Sequence, residues 1–507
     1  MGEVGHCIPV FISMKVARLR ILFVSSEAHP LIKTGGLADV SGSLPAALRD
    51  QGEDVRLLIP GYPSVMKKMS GPSKLLELTD LPYVGRASLV LGKMPDTGID
   101  VLAIDCPSLY QRAGNPYLDT TGRDWEDNPV RFGVLSMIAA RLGCSDSPLR
   151  DWIPDIVQCN DWQTGLTPAY MQFHVRATPS VQRARCVFGI HNLAFQGCFP
   201  QEWVARLGLP PDSYQMQGLE YYGQMSFLKA GAFYSDALVT VSPTYAREIQ
   251  TPEFGFGMQG LLAERGHEIR GILNGIDIDE WNPAADAHLS HAYDADTLAS
   301  KQAVKQALQL QQGLEVALQR PLLGVVSRLT HQKGLDMLLP IADALITEQQ
   351  CQLVLLGGGE AALEQGFRAL AQRHPGSVSV SIGYNEALSH QIMAGADIFV
   401  MPSRFEPCGL NQMYGMRYGT PPVVNRTGGL ADSIIDTNPA SLQAQTATGF
   451  VMDAADTTEL YNTLRRAINY FHDHASWQKI QQNGMRRDLG WQQSAKEYID
   501  VYKELFN

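Results

Sequence analysis

Continuous apolar runs recur from end to end of the chain, each followed by a stretch with helical spacing. That alternation narrows the available folds more than any other feature. In the first half the runs are RILFVSS, DVRLLIP, IDVLAID, DIVQCN, RCVFGIH and DALVTVS; in the second they are PLLGVVS, CQLVLLG, VSVSIGY, DIFVMPS and PPVVN. Strands that are apolar on both faces belong to parallel sheets covered by helices on either side. A chain of 507 residues exceeds what one core supports, so the expected fold class is α/β, with two doubly wound domains. The stretch DIDEWNPAADAHLSHAYDADTL breaks the rhythm and reads as the connection between them. The expected boundaries are an extension over 1–18, a first domain over 19–275, a linker over 276–318 and a second domain over 319–488. A C-terminal helix over 489–507 is free to dock on either domain, including by crossing back to the first. Ligands of open α/β sheets bind beyond the carboxyl ends of the strands. Two such sheets therefore point to a cleft between domains, where closure expels water.

Charge limits what enters that cleft. The formal net charge of −11 repels polyphosphate backbones at long range, so no nucleic-acid partner is expected, and an anionic ligand has to be met by a local group of cations. Eight cysteines without a C-x-x-C pair read as buried thiols in a reducing compartment. No apolar run reaches membrane-spanning length, and MGEVGHCIPVFIS lacks the basic start of a signal peptide. The expectation is a cytoplasmic protein with no membrane partner.

Several stretches carry chemistry. The phrase TGGLAD occurs twice, in KTGGLADV with Lys33, Gly35, Gly36 and Asp39, and in RTGGLADS with Thr427 and Gly428. Strand, glycines, then helix is an anion-binding arrangement, because free N–H groups and the helix dipole face negative charge. A plain connecting turn explains such glycines equally well. In VVSRLTHQKG, Arg328 and Lys333 follow a strand, and two cations there suit a diphosphate leaving group; a solvated basic loop is the alternative. In SRFEPCGLNQ, Glu406 follows a strand and Gly409 and Leu410 open a helix, so a carboxylate can meet sugar hydroxyls while N–H groups face phosphate. Cys408 reads as packing, since no histidine accompanies it. Asp161 in CNDWQTG and His191 in GIHNLAFQG end strands of the first half, and Tyr384 in GYNE can stack on a base. The D-x-D pair Asp277 and Asp279 lacks His or Cys ligand spacing, so no metal site is expected.

Together KTGGLADV, HNLAFQG, GLEYYGQMSFLKAG, VTVSPTYAREI, GILNGIDIDEWNP, VVSRLTHQKGLD and PSRFEPCGLNQMYGMRYGTPPVVNRTGGLAD resemble the starch/glycogen synthase family, in order and spacing, from about residue 19 to the C-terminus. The resemblance implies a GT-B glycosyltransferase fold, two Rossmann-like domains facing a deep cleft. It implies transfer of glucose from ADP-glucose to the non-reducing end of an α-1,4-glucan such as glycogen, with retention of configuration and without metal or pyridoxal phosphate. By motif position it makes Asp161, His191 and Glu406 the catalytic residues. It places Lys33, Gly35, Gly36, Asp39, Asn274, Arg328, Lys333, Tyr384, Cys408, Gly409, Leu410, Thr427 and Gly428 on the substrates. Three positions depart from the family pattern: Asn160 and Gln163 stand in NDWQ where histidines are frequent, and Asn411 stands where threonine is frequent. A pyridoxal-phosphate glucan phosphorylase, a catalytically silent glucan-binding protein and a UDP-glucose donor are the competing readings.

Overall fold

The computed structural model describes residues 18–507, so the extension expected at 1–18 lies, but for its last residue, outside them. Residues 20–271 build a nine-stranded sheet in the order Ile269–Gly271, Ala237–Thr240, Arg185–Ile190, Ile156–Asn160, Arg20–Val24, Asp54–Pro60, Asp100–Asp105, Gly85–Lys93, Ser70–Leu81. The first seven of these run parallel, and the last two form an antiparallel edge. The parallel strands are the apolar runs of the sequence: Ile21, Leu22, Phe23 and Val24 are fully buried, as helices on both faces require. Residues 322–452 build a second sheet, parallel throughout, in the order Val378–Ile382, Gln352–Gly357, Leu322–Val326, Ile398–Met401, Pro422–Asn425, Phe450–Met452.

Strand order decides where each sheet can hold a ligand. The first sheet grows one way from Arg20–Val24 to Asp54–Pro60 and the other way from Ile156–Asn160, so its switch point lies between Arg20–Val24 and Ile156–Asn160. In the second sheet the switch lies between Leu322–Val326 and Ile398–Met401. A crevice opens at each such point because the flanking connections leave in opposite directions. Asp161 follows the first crevice, and Arg328, Lys333 and Glu406 follow the second.

The stretch expected as a linker is more structured than its composition suggests. Its residues 301–311 form a helix, Lys301–Gln311, packed on the helix Glu386–Gly395 of the second sheet. The buried pair Lys305 Nζ–Asp397 Oδ2 at 2.6 Å fixes it there. Trp281 is stacked between His390 and Tyr414, with ring centroids 3.9 and 3.7 Å away. Pro, Asp and His obscured these contacts because their partners lie about a hundred residues downstream. The helix Trp491–Glu504 packs on the helix Gly36–Asp50 of the first domain. Ser494 Oγ donates to Leu273 O at 2.6 Å, and the Ile276 N–H donates to Leu489 O at 2.8 Å. The two crossings between domains thus run side by side.

Candidate active site

The two copies of TGGLAD share a local shape and differ in what surrounds them. The first opens the 15-residue helix Gly36–Asp50, whose N-cap Gly35 carries no side-chain cap. A Cβ at Gly35 would meet nothing within 4 Å, and one at Gly36 would meet only Leu410 Cδ1, at 3.9 Å. The helix end is therefore open and directed at the Cys408–Leu410 turn of the other domain. Glu27 holds the loop from beneath: its Oε2 accepts from Thr34 N–H at 2.6 Å, Thr34 Oγ1 at 2.7 Å and Gly35 N–H at 3.3 Å, and Tyr117 Oη donates to Oε1 at 2.7 Å. Burial pushes this carboxyl up against those hydrogen bonds. Lys33 Nζ sits 2.8 Å from Asp39 Oδ1. Burial opposes its charge, but Asp39, Glu386 and Glu280 outweigh it and hold the ammonium above its ordinary pKa.

The second copy is closed by protein. A Cβ at Gly428 would lie 2.0 Å from Glu406 O and one at Gly429 2.2 Å from Cys408 O, so these glycines let two backbones touch. Thr427 Oγ1 and the Gly428 N–H, expected on the ligand, spend their donors on Glu248 Oε1 of the first domain, both at 3.0 Å. In return Asp432 accepts from Thr244 N–H and Oγ1, each at 2.7 Å, at the start of the helix Pro243–Glu248. Two short helices thus cap each other across the domain boundary, and Ser242 Oγ adds a bond to Pro407 O at 2.7 Å. Each cap contributes about 1 kcal/mol. A Glu248→Ala, Asp432→Ala double variant is expected to favour an open cleft, seen as an increased radius of gyration by solution scattering. An unchanged radius would show that the caps do not hold the domains together.

Between these elements lie the reactive candidates. Asp161 has φ +57° and is buried, a strained backbone kept because the carboxylate ties two strand ends. Its Oδ1 accepts from His191 N–H at 2.7 Å and Asn192 N–H at 3.3 Å. Burial outweighs those bonds and raises its pKa to about 7. Asn160 Nδ2 donates to Val24 O at 2.9 Å, which turns its Oδ1 toward His191 Nε2 at 3.0 Å. The imidazole proton is then on Nε2, and Nδ1 keeps a lone pair. Burial lowers the His191 pKa to about 4, so the ring is neutral at pH 7. The unfolded chain takes up this proton near pH 6.5 and the folded chain only near 4, so the histidine costs stability as pH falls across that interval. Asp161 acts in the opposite sense, gaining its proton in the fold first. A His191→Gln variant is expected to lose about 2–3 kcal/mol of the acid penalty between pH 7 and 4.5, read by urea unfolding at both values. Identical pH dependence in the two proteins would contradict a buried neutral imidazole.

On the facing domain Lys333 Nζ lies 2.5 Å from Glu406 Oε2, and Ser403 Oγ donates to the same oxygen at 3.0 Å. Glu406 is buried. The N–H groups of Gly409 and Leu410 make no hydrogen bond among the described residues, and Gly409 has φ +72°. Arg328 is exposed and its guanidinium makes no hydrogen bond or ion pair among the described residues. Tyr384 is 77% exposed at the end of its strand. Asn274 Oδ1 is buried without a partner, and its N–H lies against the Cys408 sulfur, whose thiol burial pushes up to about 12. Cys408 is thus no nucleophile at neutral pH. Burial raises the Tyr245 phenol, whose oxygen accepts from the Leu193 N–H at 3.0 Å. Asn411 Nδ2 donates to Val326 O at 2.7 Å, bracing the switch strand instead of facing a ligand. Gln163 is buried and its Oε1 has no partner among the described residues. Glu27, Glu248 and Asn160 were not singled out as site residues from sequence. An acid directly after RILFVSS was the one available signal, for Glu27.

The arrangement offers two open backbone ends and three cations for an anion, beside two acids, a neutral imidazole and an unpaired amide. The starch synthase catalytic domain family matches residues 20–264, and the glycosyl transferases group 1 family matches residues 320–469. A glycogen synthase of Dechloromonas aromatica is 51% identical over 490 residues, covering 96% of this chain and 99% of that protein. One of Nitrosomonas europaea is 50% identical over 489 residues, covering 96% and 97%. The catalytic domain of starch synthase IV from Arabidopsis thaliana, solved with ADP and acarbose, superposes with a TM-score of 0.86 at 31% identity, covering 96% of this chain and 99% of that one. A sucrose-phosphate synthase from Thermosynechococcus elongatus, at 16% identity and a TM-score of 0.57, shares the fold. Near-complete coverage at half identity, the two matched domains and the two-sheet cleft lead to one assignment: the chain belongs to the glycogen and starch synthase family and is a glycosyltransferase of the GT-B fold.

Proposed function

We propose that this glycosyltransferase moves glucose from ADP-glucose to the non-reducing end of an α-1,4-glucan with retention of configuration. The observation that carries the reading is the half-buried Lys333–Glu406 pair at the switch point of the second sheet, with Asp161 and His191 at the strand ends of the first. The diphosphate would lie between the open Gly36 helix end and the free N–H groups of Gly409 and Leu410, with Arg328, Lys333 and Lys33 supplying positive charge where it develops on the leaving group. His191 Nδ1 and Asn274 Oδ1, both without a protein partner among the described residues, suit sugar hydroxyls. Glu406, its charge balanced by Lys333, would stabilise the oxocarbenium-like carbon. No side chain is placed as a covalent nucleophile, so the departing phosphate oxygen takes the proton of the incoming hydroxyl on the same face. The exposed Tyr384 ring is free to stack on adenine. ADP and acarbose in the Arabidopsis relative support a nucleotide and a glucan sharing the cleft.

The test compares ADP-glucose with UDP-glucose, glycogen being the acceptor and nucleotide release the readout. ADP-glucose is expected to be used at least about tenfold more efficiently, which corresponds to about 1.4 kcal/mol of discrimination. Faster turnover of UDP-glucose would overturn the donor assignment.

A further inference from the structure

Two tight turns in the first domain place a bulky aromatic residue where the backbone disfavours it. Strands Glu220–Tyr221 and Gln224–Ser226 pair antiparallel with Gln224 opposite Tyr221, so Tyr222-Gly223 is a two-residue hairpin turn. Both residues have positive φ, +48° and +81°. The Met258 N–H donates to Gly255 O at 2.7 Å, closing a second turn around Phe256-Gly257, with φ +45° and +84°. Asn-Gly fills such turns readily, whereas a Tyr or Phe in the left-handed position is strained. The Tyr222 ring does not repay that strain by burial, being 78% exposed, and Phe256 remains 39% exposed.

The turns are nonetheless built into one unit. Tyr221 Oη donates to Phe256 O, and Gln196 Nε2 donates to the same carbonyl at 3.0 Å. A Cβ at Gly257 would come within 2.6 Å of Tyr221 Oη and 3.0 Å of Tyr222 Cε2, so the two turns interlock. Phe256 then meets Phe405 of the other domain edge to face, with centroids 5.8 Å apart, and Phe405 directly precedes Glu406. Exposed rings on strained turns, whose Phe256 carbonyl is held by two side-chain donors and whose Phe256 ring meets the residue before Glu406, are arranged for a ligand rather than for stability.

We propose that Tyr222 and Phe256 form a binding ridge for the acceptor glucan, their faces stacking on pyranose rings of a chain whose end reaches Glu406. The assignment rests on the acceptor reading given above. A glucan presents apolar C–H faces and a hydroxyl rim, which match amphipathic rings bordered by polar groups such as Gln196.

The test uses the full chain with Tyr222→Asn and Phe256→Asn, singly and together. Asparagine tolerates the left-handed backbone, so thermal stability is expected to match or exceed that of the parent. The double variant is expected to raise KM for maltohexaose at least about tenfold, leaving KM for ADP-glucose within about twofold. In calorimetry without donor it is expected to lose the maltohexaose binding shown by the parent. Transfer with an unchanged maltohexaose KM would overturn the ridge while leaving the functional proposal intact. Maltohexaose binding that depends on both rings, without any glucosyl transfer, would support the ridge and overturn that proposal. A parent protein that does not bind maltohexaose would overturn the ridge outright.

Discussion

Replacing Glu406 by alanine is expected to lower kcat by about a thousandfold with the fold intact, the range seen when one preorganised electrostatic group is removed at the reacting centre. The side chain is buried at a loop, where it bears on Ser403 Oγ and Lys333 Nζ but fills no apolar core. Its loss therefore leaves both sheets packed. In the proposed mechanism the carboxylate acts on a charge that exists only in the transition state, so the effect is expected on kcat, with KM for ADP-glucose changing little. Turnover within about tenfold of the parent would remove Glu406 from the reacting centre.

Lys333→Ala is expected to lower kcat/KM by about two to three orders of magnitude, through lost stabilisation of the departing diphosphate. It differs from the Glu406 change in that KM for ADP-glucose should also rise, since phosphate charge is present before and after bond breaking. It also strips Glu406 of its counter-charge at 2.5 Å. The two substitutions should then be strongly non-additive, the double variant being only slightly worse than the poorer single one. Additive losses would mean that the residues act on separate parts of the reaction.

What the sequence disclosed follows from how local each cause is. Apolar runs such as RILFVSS and DIFVMPS announce parallel strands because burial on both faces is written in consecutive residues. Strand order is set by long-range pairing, and it is this order that puts Asp161, Arg328, Lys333 and Glu406 beside switch points. The repeated TGGLAD shows where local reading ends. Both copies open helices after strands, yet one presents a free helix end to the cleft and the other is capped by Glu248, 179 residues away in the chain. The capping partner lies in PTYARE, whose composition marks an ordinary surface helix. The Lys301–Gln311 helix was hidden for the same reason: Asp397, which fixes Lys305, is remote in sequence. The family resemblance supplied residue roles that the strand pattern alone left open, Asn274 among them. It did not separate Thr427 and Gly428, held by protein across the domain boundary, from the helix end at Gly36, which remains open.

The central claim, retaining glucosyl transfer in this cleft, is tested most directly by proton NMR of the linkage formed when ADP-glucose and maltohexaose are incubated with the purified protein. New anomeric signals of α-1,4 linkages, growing in step with ADP, are the predicted result. Signals of β linkages, or free glucose released with ADP and no lengthening of the oligosaccharide, would contradict it.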